Sequence, residues 1–120
     1  MSYVDGFVIP VPEGQKEAYR KMAADAAVIF REYGATHIVE AWGHDVPEGK
    51  VTDFYGAVKT EKGENVVFSW ITWPSKEVRN AGQKKAMEDL RMNFPEGNLP
   101  FNAQRMIFGG FEVIVEAGSK

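Results

Sequence analysis

Hydrophobic positions along this chain follow two rhythms, an alternating one and one with steps of three and four residues. The longest alternating run lies near the end: Arg105-Met106-Ile107-Phe108-Gly109-Gly110-Phe111-Glu112-Val113-Ile114-Val115-Glu116. It is rich in the β-branched and aromatic residues that fit a pleated surface. One face of this strand holds Ile107, Phe111, Val113 and Val115, and the other holds Met106, Phe108, Glu112 and Ile114. The first face is wholly apolar and is expected to lie under helices. The second mixes large apolar groups with a carboxylate, as the lining of a pocket or a subunit interface would.

Three further strands are predicted upstream. Tyr3 to Ile9 alternates and is expected to stop at Pro10 and Pro12, which lack the N–H that a ladder uses. Thr36 to His44 sets Val39 and Ala41 against Ile38, Glu40, Trp42 and His44. Asn65 to Trp73 sets Val67 and Ile71 against Phe68 and Trp70, and Asp53 to Val58 reads as a short extra strand. The longer rhythm marks two helices. Gly14 to Tyr33 carries Tyr19, Met22, Ala26, Ile29 or Phe30, and Tyr33, with Gly34 as its stop. Ser75 to Met92 begins on a capping serine and has a thin stripe of Val78, Ala86, Met87 and Leu90. Its Gly82 costs about 1 kcal/mol relative to Ala. Asn93 to Asn102 is expected to be a loop.

Strand, helix, two or three strands, helix, strand is the order of split βαβ units. It predicts an α+β, ferredoxin-like βαββαβ sandwich with both helices on one face of an antiparallel sheet. The uncovered face is then expected to carry Phe7, Trp42, Phe68, Trp70, Met106 and Phe108. That much exposed aromatic surface is unusual on a monomer. Two sheets packed about a twofold axis would bury it, so a homodimer with a barrel-like cavity is expected.

Composition narrows the function classes. A length of 120 residues predicts a single domain over residues 1–120. Seventeen acidic against fourteen basic residues, without a basic run, argue against a nucleic-acid partner. The absence of cysteine excludes disulfides, thiolate metal sites and a cysteine nucleophile. No apolar run approaches the ~18 residues of a membrane span. Asp5 and two prolines stand where a signal peptide would need a basic region and an apolar core, so a cytoplasmic location is expected.

The candidate chemistry lies on the presumed cavity face: Asp5, Glu40, His44 and Glu112, beside Trp42 and Trp70. Carboxylates among aromatic rings are desolvated, which raises their pKa and suits them to acid–base work. A neighbouring histidine shuttles protons near neutrality. The competing reading has these groups hydrated at a cavity mouth or paired with Arg105 across the dimer. Trp42, Phe68, Trp70 and Phe108 either stack on a flat ligand or form dimer core. Arg105 either grips an anionic substrate or makes a salt bridge, and Gly109-Gly110 either makes room for a ligand or marks a bulge or a close pass of a helix. His37 and Glu40 face opposite sides of their strand, leaving His44 alone with the carboxylates, so no metal is predicted. There is no Gly-rich phosphate loop, Ser-His-Asp set or HExxH motif, and no cofactor is predicted.

Four blocks carry a resemblance. Glu40-Ala41-Trp42-Gly43-His44-Asp45-Val46-Pro47, Phe68-Ser69-Trp70-Ile71, Trp73-Pro74-Ser75-Lys76 and the Arg105–Glu112 run resemble the DUF1428 family, in that family's order and over nearly the whole chain. The family resembles the dimeric α/β-barrel superfamily, which implies the fold derived above. That superfamily includes cofactor-independent monooxygenases, haem-degrading enzymes, isomerases and proteins with no known reaction. A shared fold does not transfer an activity. The expectation is a protein that binds a small organic molecule in a sheet-lined cavity, with isomerase-like or cofactor-free oxygenase-like chemistry. The alternative is a non-catalytic homodimer whose aromatic face serves only dimerisation.

Overall fold

Four strands, β1 (Tyr3–Pro12), β2 (His37–Trp42), β3 (Glu64–Trp73) and β4 (Ile107–Glu112), form one sheet in the order β2-β3-β1-β4. Every neighbouring pair is antiparallel. This computed structural model describes residues 2–93 and 99–118. Helices α1 (Lys16–Glu32) and α3 (Lys76–Glu88) follow β1 and β3, and a one-turn helix α2 (Phe54–Ala57) lies between β2 and β3. Strand–helix–strand thus occurs twice, and the fold is the ferredoxin-like α+β sandwich that the hydrophobic rhythm predicts.

Each helix has a local reason for its bounds. α1 ends where Gly34 takes φ 113°, a left-handed conformation that glycine adopts without strain. α3 starts at Ser75, whose hydroxyl accepts the Val78 N–H at 3.2 Å. Its position depends on Gly82, because a Cβ there would clash with the Tyr33 carbonyl at the end of α1 and sit 2.6 Å from the Trp73 ring. That close pass leaves Trp73 fully buried. The core has two parts on the helix side of the sheet. One is built on Ile9, Val11, Tyr19, Ala23 and Val67, the other on Ala35, Ile71 and Trp73, and Phe7 packs against both.

Several local expectations are corrected. β1 runs on through Pro10 and Pro12 because β4 pairs with it only from Tyr3 to Val8. Beyond Val8 one edge of β1 is free, and there a proline costs no ladder bond. Residues 53–58 are not a strand: the Asp53 carboxylate accepts the N–H groups of Gly56 and Gly49, at 2.6 and 3.1 Å, and so starts α2. The last strand stops at Glu112. Of the loop expected over residues 93–102, residues 94–98 lie outside the described residues, and the rest forms no helix or strand.

The main correction concerns which face is which. Phe7, Trp42 and Met106 pack on the helix side, and Phe108 stacks on Phe7 there, with ring centroids 6.2 Å apart. Register sets Asp5, Gly110, Glu40 and Ser69 on that same side. The open face instead carries Val4, Val8, Phe68, Trp70, Ile107 and Phe111. Alternation shows which residues share a face, but both faces here are apolar, so it does not say which one the helices cover.

Candidate functional site

Asp5 is nearly dry, at 2% exposure, and sits under α3 rather than in a sheet-lined cavity. The Arg79 side chain reaches down from α3 and donates to both its oxygens, from Nη2 at 2.8 Å and Nε at 3.1 and 3.2 Å. The Trp73 indole N–H completes the site at 3.0 Å. Asp5 raises the affinity of the guanidinium for its proton. Arg79 also lies over the Tyr3 ring at 5.2 Å and beside Gly110, where a Cβ would fall 2.8 Å from Nη2. The Tyr3 side chain crowds the same spot, so Gly110 makes room for the stacked Tyr3–Arg79 pair. With every acceptor engaged, this carboxylate anchors α3 to β1 and has no free edge for a ligand.

Glu40 has a different setting. Its strand is the sheet edge, and Tyr19 of α1 crosses to donate its hydroxyl to Glu40 Oε1 at 2.6 Å. Glu40 as a residue is exposed at this edge, but its carboxyl lies against Tyr19 and α1; desolvation there raises its pKa, while hydrogen bonds from Tyr19 and Ser69 pull it part of the way back. Tyr19 is itself buried; desolvation first and the Glu40 charge second hold its proton far above the ordinary tyrosine range. The pair borders a pocket of ≈ 300 Å³ between α1 and β2. Trp42 forms one wall, with the Lys16 ammonium 5.6 Å from its ring centroid.

A larger cleft of ≈ 450 Å³ opens at the other edge, between α3 and β4. Phe7, Ile71 and Phe108 line it from the sheet, with Phe30, Met87 and Met106 beside them. Asn80, Gln83 and Lys84 supply the polar rim along α3. Phe108 and Met87 are 69% and 65% exposed, large apolar side chains with little covering them. On the opposite side of the sheet an apolar trough of ≈ 600 Å³ runs over Gly6 and Gly109, bordered by Phe68, Trp70, Ile107 and Phe111. A Cβ at either glycine would meet the Phe111 ring at 3.6 Å. At one end α2 stacks on it, Phe54 against Phe68 at 6.0 Å, and Phe68 continues to Trp70 at 5.5 Å.

The expected site residues do not converge. Asp5 and Glu40 share the helix side but belong to separate networks. His44 and Glu112 are exposed, His44 in the bend after β2 and Glu112 at the end of β4. Trp42 and Phe108 line two different helix-side hollows, and only Phe68 and Trp70 are on the open face. Arg105 makes a two-pronged contact with Glu64, 2.7 Å on each prong, and donates to the Lys59 carbonyl at 2.9 Å. That contact holds Glu64 below the usual carboxylate range, and the salt-bridge reading of Arg105 is the observed one. Among the described residues no group of three or more acidic or histidine side chains is placed to hold a metal.

Tyr19, Arg79, Asn80 and Gln83 were not predicted. The apolar stripe expected on α3 fails except at Ala86, since Val78, Met87 and Leu90 are exposed. The face turned inwards is Arg79, Gly82 and Ala86, in steps of three and four. An arginine on a helix's small-residue face is a signal for a buried carboxylate beneath it. Tyr19 in the apolar stripe of α1 carried a similar signal, because a buried phenol needs an acceptor.

A family model described as a protein of unknown function, DUF1428, matches residues 2–103. Over 116 residues the chain is 59% identical to the uncharacterized protein YbaA of Escherichia coli, covering 97% of this chain and 99% of that one. The same figures hold for YbaA of Shigella flexneri. Among solved structures, an MhuD mutant with two manganese protoporphyrin IX bound per active site superposes with TM-score 0.65 at 19% identity, over 98% of this chain and 99% of that chain. Rv0793 from Mycobacterium tuberculosis superposes with TM-score 0.51 at 12% identity, over 98% and 100%. At these identities the two likenesses establish a shared fold and nothing about a ligand.

Proposed function

We propose, for a chain that belongs to the DUF1428 family, that it acts as a homodimer in which each subunit holds a small, largely apolar organic molecule in the cleft between α3 and β4. The observation that carries this reading is the cleft itself: ≈ 450 Å³, with an aromatic and aliphatic floor and amide and ammonium groups along one rim only. Such a hollow, mostly apolar with few polar groups, is the usual form of a small-molecule site. Its flat floor of Phe7 and Phe108 favours a planar ligand, and a protein of the same fold binds a planar tetrapyrrole. The open face supports the homodimer, since Phe68, Ile107 and Phe111 stand 45–61% exposed beside one another. None of the acid–base candidates lines this cleft: Glu40 borders the pocket between α1 and β2 and His44 a smaller hollow beyond the end of β2, so the cleft is a binding site first.

The test is native mass spectrometry of protein purified gently from cells, together with titration by manganese protoporphyrin IX as a planar probe. Gln83→Trp places an indole across the cleft mouth from an outer position on α3. The expected result is retained mass or saturable probe binding in the wild type, lost in Gln83→Trp while the dimer mass persists. Equal retention by both proteins would remove the cleft from consideration. A dimer that never carries a ligand would favour the alternative in which the aromatic face serves assembly alone.

A further inference from the structure

The pocket between α1 and β2 shares no lining residue with the cleft, and its chemistry is of another kind. It exists because α1 turns Ala23, Ala24 and Ala27 towards the edge strand, three methyl groups where leucine-sized side chains would close the gap. It is lined by the Glu40 carboxyl, which among the described residues has no cation partner: Asp5 has Arg79, whereas Glu40 has the Tyr19 and Ser69 hydroxyls. At its mouth stand two cations one helical turn apart, Lys16 and Arg20. Arg20 reaches Glu17 at 3.5 Å in a solvent-exposed pair, which holds it only weakly. The wall is the Trp42 indole.

We propose that this pocket is a second site, which binds a small planar monocarboxylate: the carboxylate is held between Lys16 and Arg20 and accepts a hydrogen bond from the Glu40 carboxyl, with Tyr19 as a positioning residue. The Tyr19 hydroxyl fixes Glu40 Oε1, and in the proposed complex the proton towards the ligand is carried on the carboxyl beside the Ser69 hydroxyl. A deprotonated Glu40 would repel the same ligand. Desolvation shifts Glu40 towards its protonated form, and the Lys16 and Arg20 cations on the same pocket suit an anion rather than a cation or a neutral amide. The ring or unsaturated body of the ligand lies along Trp42 and the alanine row, in a volume at the lower end of the range for ligand sites.

The groups that face Glu40 fix the expected pH dependence. From α1 they are Lys16, Tyr19 and Arg20, and from β3 Ser69, which does not titrate. Tyr19 stays neutral from weakly acidic to weakly alkaline pH. His37 lies across the strand and His44 lies beyond its end. Affinity should therefore fall with rising pH through one ionisation, that of Glu40.

Calorimetric titration with benzoate, sorbate and benzamide at about pH 5 and about pH 8 tests this. Saturable binding of both carboxylates is expected, at least about tenfold tighter at the lower pH, with benzamide weaker. Glu40→Gln keeps binding and loses the pH dependence. The pair Lys16→Met and Arg20→Met weakens benzoate by about tenfold or more without affecting benzamide. Ala24→Leu, at an exposed position of α1, fills the pocket and abolishes binding with the helix content unchanged, whereas Gln83→Trp leaves it intact and so separates this site from the cleft. Carboxylates that fail to saturate at about 10 mM, benzamide that binds as tightly as benzoate, or an unchanged pH profile in Glu40→Gln would each overturn the proposal.

Discussion

The Asp5–Arg79–Trp73 network is a structural anchor, and that assignment can be tested by stability alone. Arg79→Met keeps the length of the side chain and removes the charge. It leaves a carboxylate at 2% exposure with the Trp73 indole N–H as its remaining partner, since the three contacts at 2.8–3.2 Å all come from Arg79. Breaking a buried pair from one side costs about 3–5 kcal/mol. Asp5→Asn is milder, because Arg79 can turn to water from a side chain already 19% exposed, and should cost about 1–3 kcal/mol. Asp5→Leu combined with Arg79→Met removes both charges and should recover part of the Arg79→Met loss. Urea unfolding at fixed protein concentration reads these differences. With a slope of about 2 kcal/mol per molar, Arg79→Met moves the midpoint by about 2 M. A loss below about 1 kcal/mol, or a double variant less stable than Arg79→Met, would show that the pair does not bear the weight assigned to it.

Three further outcomes are expected. Gly82→Ala gains about 1 kcal/mol of helix propensity but forces a Cβ to 2.6 Å from the Trp73 ring, so thermal melting should show a net loss of about 1–3 kcal/mol. Glu64 has a folded pKa held below its unfolded value of 4.5 by Arg105, so its contribution is present above that value and lost as pH falls through the folded pKa. Arg105→Met should therefore lower stability at neutral pH and flatten its loss on acidification, measured as urea midpoints against pH; a parallel curve would contradict the pairing. Phe111→Asp sets a charge in the middle of the open face and should convert a dimer to a monomer in analytical ultracentrifugation, whereas Met87→Asp, equally exposed but on α3, should not.

Much of the fold follows from local chemistry and is legible in the chain. Ser75 caps α3, Gly34 ends α1, and two alternating strands flank each helix, so the ferredoxin-like order emerges from short-range signals. The Asp53 turn was not legible, because residues 53–58 are as compatible with a strand as with a single capped turn until Asp53 meets the N–H groups of Gly49 and Gly56. The candidate site was legible only in part. Glu40 and Trp42 do share a pocket, but Asp5 is claimed by Arg79, 74 residues away, and Arg105 by Glu64, 41 residues away.

The physical reason is that period and capping are set by residues within one turn or one pleat of each other, which the sequence displays directly. The choice of face is not. Both sides of this sheet are apolar, and what turned the helices towards Phe7, Trp42 and Phe108 was long-range fit: Arg79 passing over Gly110 to Asp5, Gly82 settling on Trp73, and Tyr19 reaching Glu40. The sequence by itself determined the elements and their order. Which side would be core, and which carboxyls would find a cation, was decided only when the tertiary structure brought partners 21 to 74 residues apart into contact.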